Sequence, residues 1–135
     1  MGISTVTAAR IFAGQAAGAT GEEYDLAFDQ FPHLALIKTY NTDAQVPDSA
    51  GTITAITTGE KTRIGVLGVN SSVERDDCAG ALTNTLPTLA ELEEQRGMST
   101  GIVSTARITH ATPAGAYAHS PNRNWESSAS TPDEA

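Results

Sequence analysis

The chain has 135 residues and 14.0 kDa, the size of one modest domain, and its 8 Lys and Arg against 16 Asp and Glu give a net charge of −8. Basic residues scattered singly and outnumbered two to one argue against a nucleic-acid binder, which clusters Lys and Arg along the phosphates. No apolar run approaches the ~20 residues of a membrane span, and the amino terminus lacks the basic, apolar and small-residue order of a secretion signal.

Leu, Ile, Val and Phe together number 25, just under the ~20% below which a charged chain reads as unable to fold alone. The patterning along the chain is nevertheless that of strands and helices, which points to a piece of a larger domain. Residues 3–13 carry Ile3, Val6 or Thr7, Arg10 and Ile11 at helical spacing, with Gly14 as a stop. Residues 34–40, Leu-Ala-Leu-Ile-Lys-Thr-Tyr, form an apolar run of strand length that ends in Asn41-Thr42-Asp43. Pro47-Asp48-Ser49 supplies cap chemistry for a helix that closes on Gly59, despite its threonines. Residues 63–69 read as a short strand or an extended loop; their two glycines lack the Gly-Lys-Ser/Thr of a phosphate loop and the dinucleotide spacing. Thr85 to Gly97 predicts a helix capped by a Thr, with Pro87 in its first turn and Leu86, Leu89 and Leu92 on one face. Residues 99–108 read as a second strand, and residues 120–135 as polar loop. The order strand, helix, helix, strand predicts a parallel α/β sheet with crossovers. The single cysteine, Cys78, has no partner within the chain and reads as a surface thiol; in a longer secreted protein its partner would lie beyond Ala135.

Asp48-Ser49 would place a hydroxyl beside the free N–H groups and positive dipole end of a helix, at the carboxyl edge of a sheet, where open α/β folds bind anions. Taken alone, the motif is weak, since Asp-Ser before a helix is most often just a cap. His110-Ala111-Thr112-Pro113-Ala114 follows the second expected strand and is itself followed by His119 and by Asn122-Arg123-Asn124-Trp125. The histidine spacing is not that of a zinc pair on a helix, and Arg123 could hold a phosphate with its planar fork.

Taken together, these runs resemble the alkaline phosphatase family. The resemblance rests on Phe31-Pro32-His33-Leu34-Ala35-Leu36 with Lys38-Thr39-Tyr40, on Asn41 through Thr52, on Gly59-Glu60-Lys61-Thr62, on Ser99 through Thr105, and on His110 through Trp125. It covers nearly the whole chain in order. It implies a partial α/β/α sandwich with a mostly parallel sheet, and a phosphate monoester hydrolase that acts broadly at alkaline pH. Ser49 looks like the family's serine nucleophile, which a zinc ion activates and which forms a phosphoserine intermediate. Arg123 is similar to the arginine that grips two phosphate oxygens, and Asp48 would orient it. Thr112 matches the hydroxyl ligand of the magnesium site. His110 matches the position beside it where some bacterial members carry Asp, so magnesium should be held less tightly here. The resemblance further implies two zinc ions and one magnesium ion, small-molecule phosphate monoesters as substrates, a homodimer, and work in the periplasm or after secretion.

The departures set further expectations. In the family an Asp-Gly precedes the Met-Gly found here as Met1-Gly2, and that aspartate binds a zinc and the magnesium; it has no position in this chain. The family's other metal ligands lie downstream of Trp125. Residues 1–135 are therefore expected to be an internal segment of one catalytic domain, truncated at both ends and inactive alone. The competing class is a noncatalytic phosphate-binding or interaction module, with a phosphodiesterase or sulfatase relative as a third reading.

Overall fold

In the computed structural model, which describes residues 2–133, the first helix runs past its expected end. Helix α1 spans Ile3–Ala16. Gly14 does not stop it but lets the returning chain cross: a Cβ there would lie 2.7 Å from both Gly21 Cα and Tyr24 Cβ. A 3-10 turn, Ala27–Gln30, follows, with the Leu26 N–H donating to Asp29 Oδ2 at 2.8 Å. These elements belong to the first of two compact units, Met1–Ile37; the second is Lys38–Ala135.

The expected parallel sheet is not seen among the described residues. Pairing among the described residues consists of three isolated antiparallel bridges, Asn41 with Ala44, Leu67 with Ser120, and Val69 with Thr85. In residues 34–40, Leu34 is 94% exposed, and Leu36 and Ile37 are also exposed; in residues 99–108, Val103 is fully exposed. A strand persists as one member of a hydrogen-bonded set. The β-branched and aliphatic residues of these runs supply a face but not the neighbouring backbone.

Residues 63–69 take the extended-loop alternative and separate two small cores. Leu67 joins Ala50, Ala111 and Ala114, with Ile53 and Ala118 packed against them. Val66 and Val69 join Val73 and Ala81 in the other cluster. The backbone between them is tied on both sides: Leu67 exchanges two 2.8 Å hydrogen bonds with Ser120, and the Leu86 N–H donates to the Gly68 carbonyl at 2.8 Å.

Helix α2, Ser49–Thr58, forms where its cap and stop residues predict, between Asp48 and a left-handed Gly59. Its threonines are tolerated because their hydroxyls bond back one turn, Thr52 to the Asp48 carbonyl at 2.8 Å and Thr58 to the Thr54 carbonyl at 2.8 Å. A short helix α3, Cys78–Thr83, is capped by Asp77 and was not legible as an element; its first residue, Cys78, is a half-buried free thiol. Helix α4 is Leu89–Gln95, shorter than the expected Thr85–Gly97. The cap falls at Thr88, whose hydroxyl accepts from the Glu91 N–H while Glu91 Oε2 accepts from the Thr88 N–H. Thr85 and Leu86 are drawn instead into pairing with residues 68 and 69. The leucine face expected to pack is largely open, with Leu89 and Leu92 exposed.

Helix α5, Ala111–Ala114, packs on α2. Gly115 makes this possible: a Cβ there would collide with the Ile53 side chain, and the Thr57 hydroxyl donates to the Gly115 carbonyl at 2.8 Å. His119, which follows, is not part of the candidate site. Its Nδ1 lies 2.7 Å from the Gly68 carbonyl and its Nε2 2.9 Å from Glu91 Oε1, so the ring clips α4 to the central loop. Burial pushes the Glu91 carboxyl up, but the Thr88 N–H and the His119 ring outweigh it and hold the group below its ordinary value.

Fully buried Thr54 joins α2 to the same loop, donating to the Ala50 carbonyl at 3.0 Å and accepting from the Gly68 N–H at 3.0 Å. Thr54→Val preserves shape but leaves the buried Gly68 N–H unpaired. We expect it to lower stability by about 1–3 kcal/mol, seen as a lower urea midpoint with an unchanged m-value. An unchanged midpoint would remove this bond from the list of fold determinants.

Candidate functional site

The site is built around the Asp48 carboxylate. Oδ1 accepts from the Gly51 N–H at 3.0 Å and from Asn41 Nδ2 at 3.1 Å. Oδ2 accepts from the Gly65 N–H at 3.1 Å and from Arg123 Nη1 at 2.9 Å. The pair with Arg123 is largely shielded, the side chains being 16% and 22% exposed. Gly65 serves both partners, since its carbonyl also accepts the Arg123 N–H at 2.8 Å. Its φ of +83° is a left-handed conformation that suits glycine. The glycine first weighed as a phosphate-loop residue thus positions the acid and the arginine through its backbone.

Ser49 is the first residue of α2, and because Asp48 makes the capping bond, the Ser49 hydroxyl stays outside it. It sits at the positive end of the helix, next in sequence to the residue that holds Arg123. His110 is the N-cap of α5 without a side-chain capping bond, and Thr112 is exposed on its first turn. Ala50 and Ala111 lie in one buried cluster, so Ser49 and the pair His110 and Thr112 flank the same packed contact. Among the described residues no group of three or more His, Cys, Asp or Glu side chains forms a metal site.

Sequence reasoning missed Asn41, Gly65 and Glu126. Asn41, nearly fully buried, was read as the end of a strand and as part of a matching run, with no role of its own; the small Gly51 opposite it was the available signal, since a Cβ there would lie 2.5 Å from Asn41 Oδ1. Glu126 accepts from Arg107 Nε at 2.9 Å, from Arg107 Nη2 at 2.8 Å and from the Thr109 hydroxyl at 2.8 Å. The Arg107 bonds and then Thr109 hold its carboxyl down at about 2, with a smaller pull from His110. This braces the residues that lead into α5.

Burial alone would push the Asp48 carboxyl up, but the Gly51 N–H, Arg123 and Asn41 outweigh it and hold the group below its ordinary value.

The chain is similar in structure to solved alkaline phosphatases. A cold-active alkaline phosphatase from a psychrophilic Shewanella sp. superposes with a TM-score of 0.73 at 30% identity, over 91% of this chain and 28% of that one. A histidine-to-aspartate mutant of the alkaline phosphatase from the Antarctic bacterium TAB5, solved with Mg bound in its M3 site, gives a TM-score of 0.65 at 30% identity, over 84% of this chain and 30% of that one. The family model for alkaline phosphatase matches residues 1–135, and the chain belongs to that family. The tissue-nonspecific alkaline phosphatase of Rattus norvegicus is 51% identical over 135 residues, 100% of this chain and 26% of the relative. The chain therefore spans about a quarter of the length of the curated relatives it matches.

Because the folded carboxyl of Asp48 is depressed, the stability it contributes is complete above the unfolded carboxylate value of ~3.9 and is lost as pH falls through the folded one. Asp48→Asn should therefore melt below the parent near neutral pH, with the gap closing as the solution is made strongly acidic. Thermal scans across this range check it; a gap independent of pH would show that the charge is not the source.

Proposed function

We propose that these residues form one segment of an alkaline phosphatase catalytic domain, and that the complete protein hydrolyses phosphate monoesters through a phosphoseryl intermediate on Ser49. The observation that carries the reading is the shielded Asp48–Arg123 pair at 2.9 Å, set beside a serine at the N-terminus of a ten-residue helix. Ser49 Oγ attacks phosphorus in line as the alcohol departs, and water then displaces the serine. Arg123, oriented by Asp48, holds two nonbridging oxygens and stabilises the charge that spreads over them.

Family membership supports two zinc ions and one magnesium ion as cofactors, and the histidine-to-aspartate mutant of the TAB5 relative has Mg bound in its M3 site. Ser49, Thr112 and His110 are this chain's contributions to those sites. Two hydroxyls and an imidazole do not make three coordination shells, so the remaining ligands belong to the rest of the complete protein. When bound, the metals supply Lewis acidity and activate the attacking oxygens. In the complete domain the sheet is mostly parallel and flanked by helices, and residues 34–40 and 99–108 find their neighbours there; their exposed Leu34, Leu36 and Val103 support this. The segment alone is inactive. The reading extends to a homodimer working in the periplasm or after secretion; no helix among the described residues is long and apolar enough to cross a membrane.

In the complete protein, Ser49→Ala should reduce turnover by orders of magnitude and abolish the phosphoryl group trapped at low pH. Arg123→Ala should be milder, weakening phosphate binding and slowing turnover less. A trapped phosphoryl group on another residue, or equal damage from both variants, overturns the mechanism; phosphate binding without turnover in the metal-loaded parent would favour a noncatalytic module. Separately, His110→Asp should lower the magnesium concentration needed for half-maximal activity, since a carboxylate suits hydrated Mg²⁺ better than an imidazole. An unchanged magnesium titration would take His110 out of that site.

A further inference from the structure

Arg123 is fixed at its guanidinium by Asp48 and at its backbone by Gly65, and the residue before it is held by a second network that the proposed chemistry does not use. Asn122 is only 8% exposed. Its Oδ1 accepts from the Asn124 N–H at 2.9 Å and from Arg75 Nη2 at 3.3 Å, and its Nδ2 donates to Asp76 Oδ1 at 2.6 Å. The Asp76 N–H in turn donates to the Pro121 carbonyl at 3.1 Å. Asp76 adopts a φ of +70°, alone among the described non-glycine residues in having a positive value. A left-handed backbone at a residue with a side chain carries a conformational cost, which persists where the surroundings over-determine it.

We propose that Asn122 and Asp76 are positioning residues for Arg123: the amide–carboxylate bond between them locks the loop that presents the guanidinium to phosphate. The inference rests on the phosphate-binding role proposed for Arg123 and adds to it the residues that set its register. The chemistry is specific. Asn122 must offer an acceptor at one end of its side chain, for Asn124 and Arg75, and a donor at the other, for Asp76. Only an amide provides both at that size. A carboxylate at position 122 would turn an acceptor toward the Asp76 carboxylate, and the two would repel. Asparagine at position 76 would present a donor and tolerates a positive φ at least as well as aspartate.

The test is an exchange of the two groups in the complete, metal-loaded protein, read by competitive inhibition by inorganic phosphate, by KM and kcat separately, and by thermal midpoint. Asn122→Asp should weaken phosphate binding and raise KM roughly tenfold, the scale of one lost hydrogen bond to a charged group, with a smaller change in kcat. The double variant Asn122→Asp with Asp76→Asn restores one donor facing one acceptor and should return phosphate binding to within about twofold of the parent. Should Asn122→Asp fail to fold, Asp76→Gly keeps the positive φ, removes the acceptor, and should weaken phosphate binding in the same direction. A lower midpoint with unchanged phosphate affinity, or a folded double variant without recovery, overturns the positioning role. Arg123→Ala serves as the control: if it leaves phosphate affinity intact, the phosphate role of Arg123 fails; if it weakens phosphate while Asn122→Asp does not, only the Asn122 inference fails.

Discussion

Much of the arrangement depends on one carboxylate. Asp48 collects donors from residues 41, 51, 65 and 123, and each connection closes a loop that the chain would otherwise leave open. A carboxylate removed from water is costly unless its lone pairs are filled, and here two main-chain N–H groups, an amide and a guanidinium fill them. The same group caps α2, fixes the left-handed Gly65 turn and orients Arg123, so a single ionised side chain sets a helix start, a loop path and a cation together. Only Nη1 of Arg123 is hydrogen-bonded to Asp48. The planar fork carries further N–H groups suited to an anion.

Small residues do the rest of the positioning. Four residues of α5 would not hold a helix in water, since nucleation is unfavourable and no propagation follows. The turn exists because Ala111, Ala114 and Gly115 let it lie against Ala50 and Ile53. Side chains of ordinary size at these positions would push α5 away from α2 and carry His110 and Thr112 with it. The Arg107–Glu126–Thr109 contacts hold the approach to that turn from the other side. The candidate residues His110 and Thr112 are thus polar and open to solvent in part or in full, while the residues that place them are alanines and a glycine that sequence reading treats as filler.

This explains what was legible. Helix α2 was, because its cap, its glycine stop and its length are local properties. The Asp48–Arg123 pair joins residues 75 positions apart, and no local rule reaches that far; only the resemblance of whole runs to a family suggested it. Asn41 was invisible because its role depends on Gly51 lying beneath it, a contact made after α2 has formed. The start of α4 was misplaced because two threonines compete for the cap, and Thr88 holds the reciprocal bond to Glu91 while Thr85 is taken by a bridge to Val69. The two expected strands lack partners among the described residues for a different reason. Hydrophobic runs report a surface that can be buried, whereas a strand also requires a backbone alongside, which composition does not encode.

The charge balance gives a physical reason for the metals in the proposed mechanism. The chain carries a net −8, and its shielded arginine is already matched by Asp48 at 2.9 Å. In that mechanism a phosphate dianion approaching Ser49 meets an arginine already paired with a carboxylate, beside the end of α2. A helix terminus amounts to roughly half an elementary charge, too little to offset the two negative charges of a phosphate monoester and those developing on the attacking and leaving oxygens. In the proposed mechanism Arg123 supplies direction more than net charge, because its guanidinium is paired with Asp48. By the same proposed mechanism, the residues of this segment would direct the phosphate and its oxygens, and bound cations would supply the compensating charge.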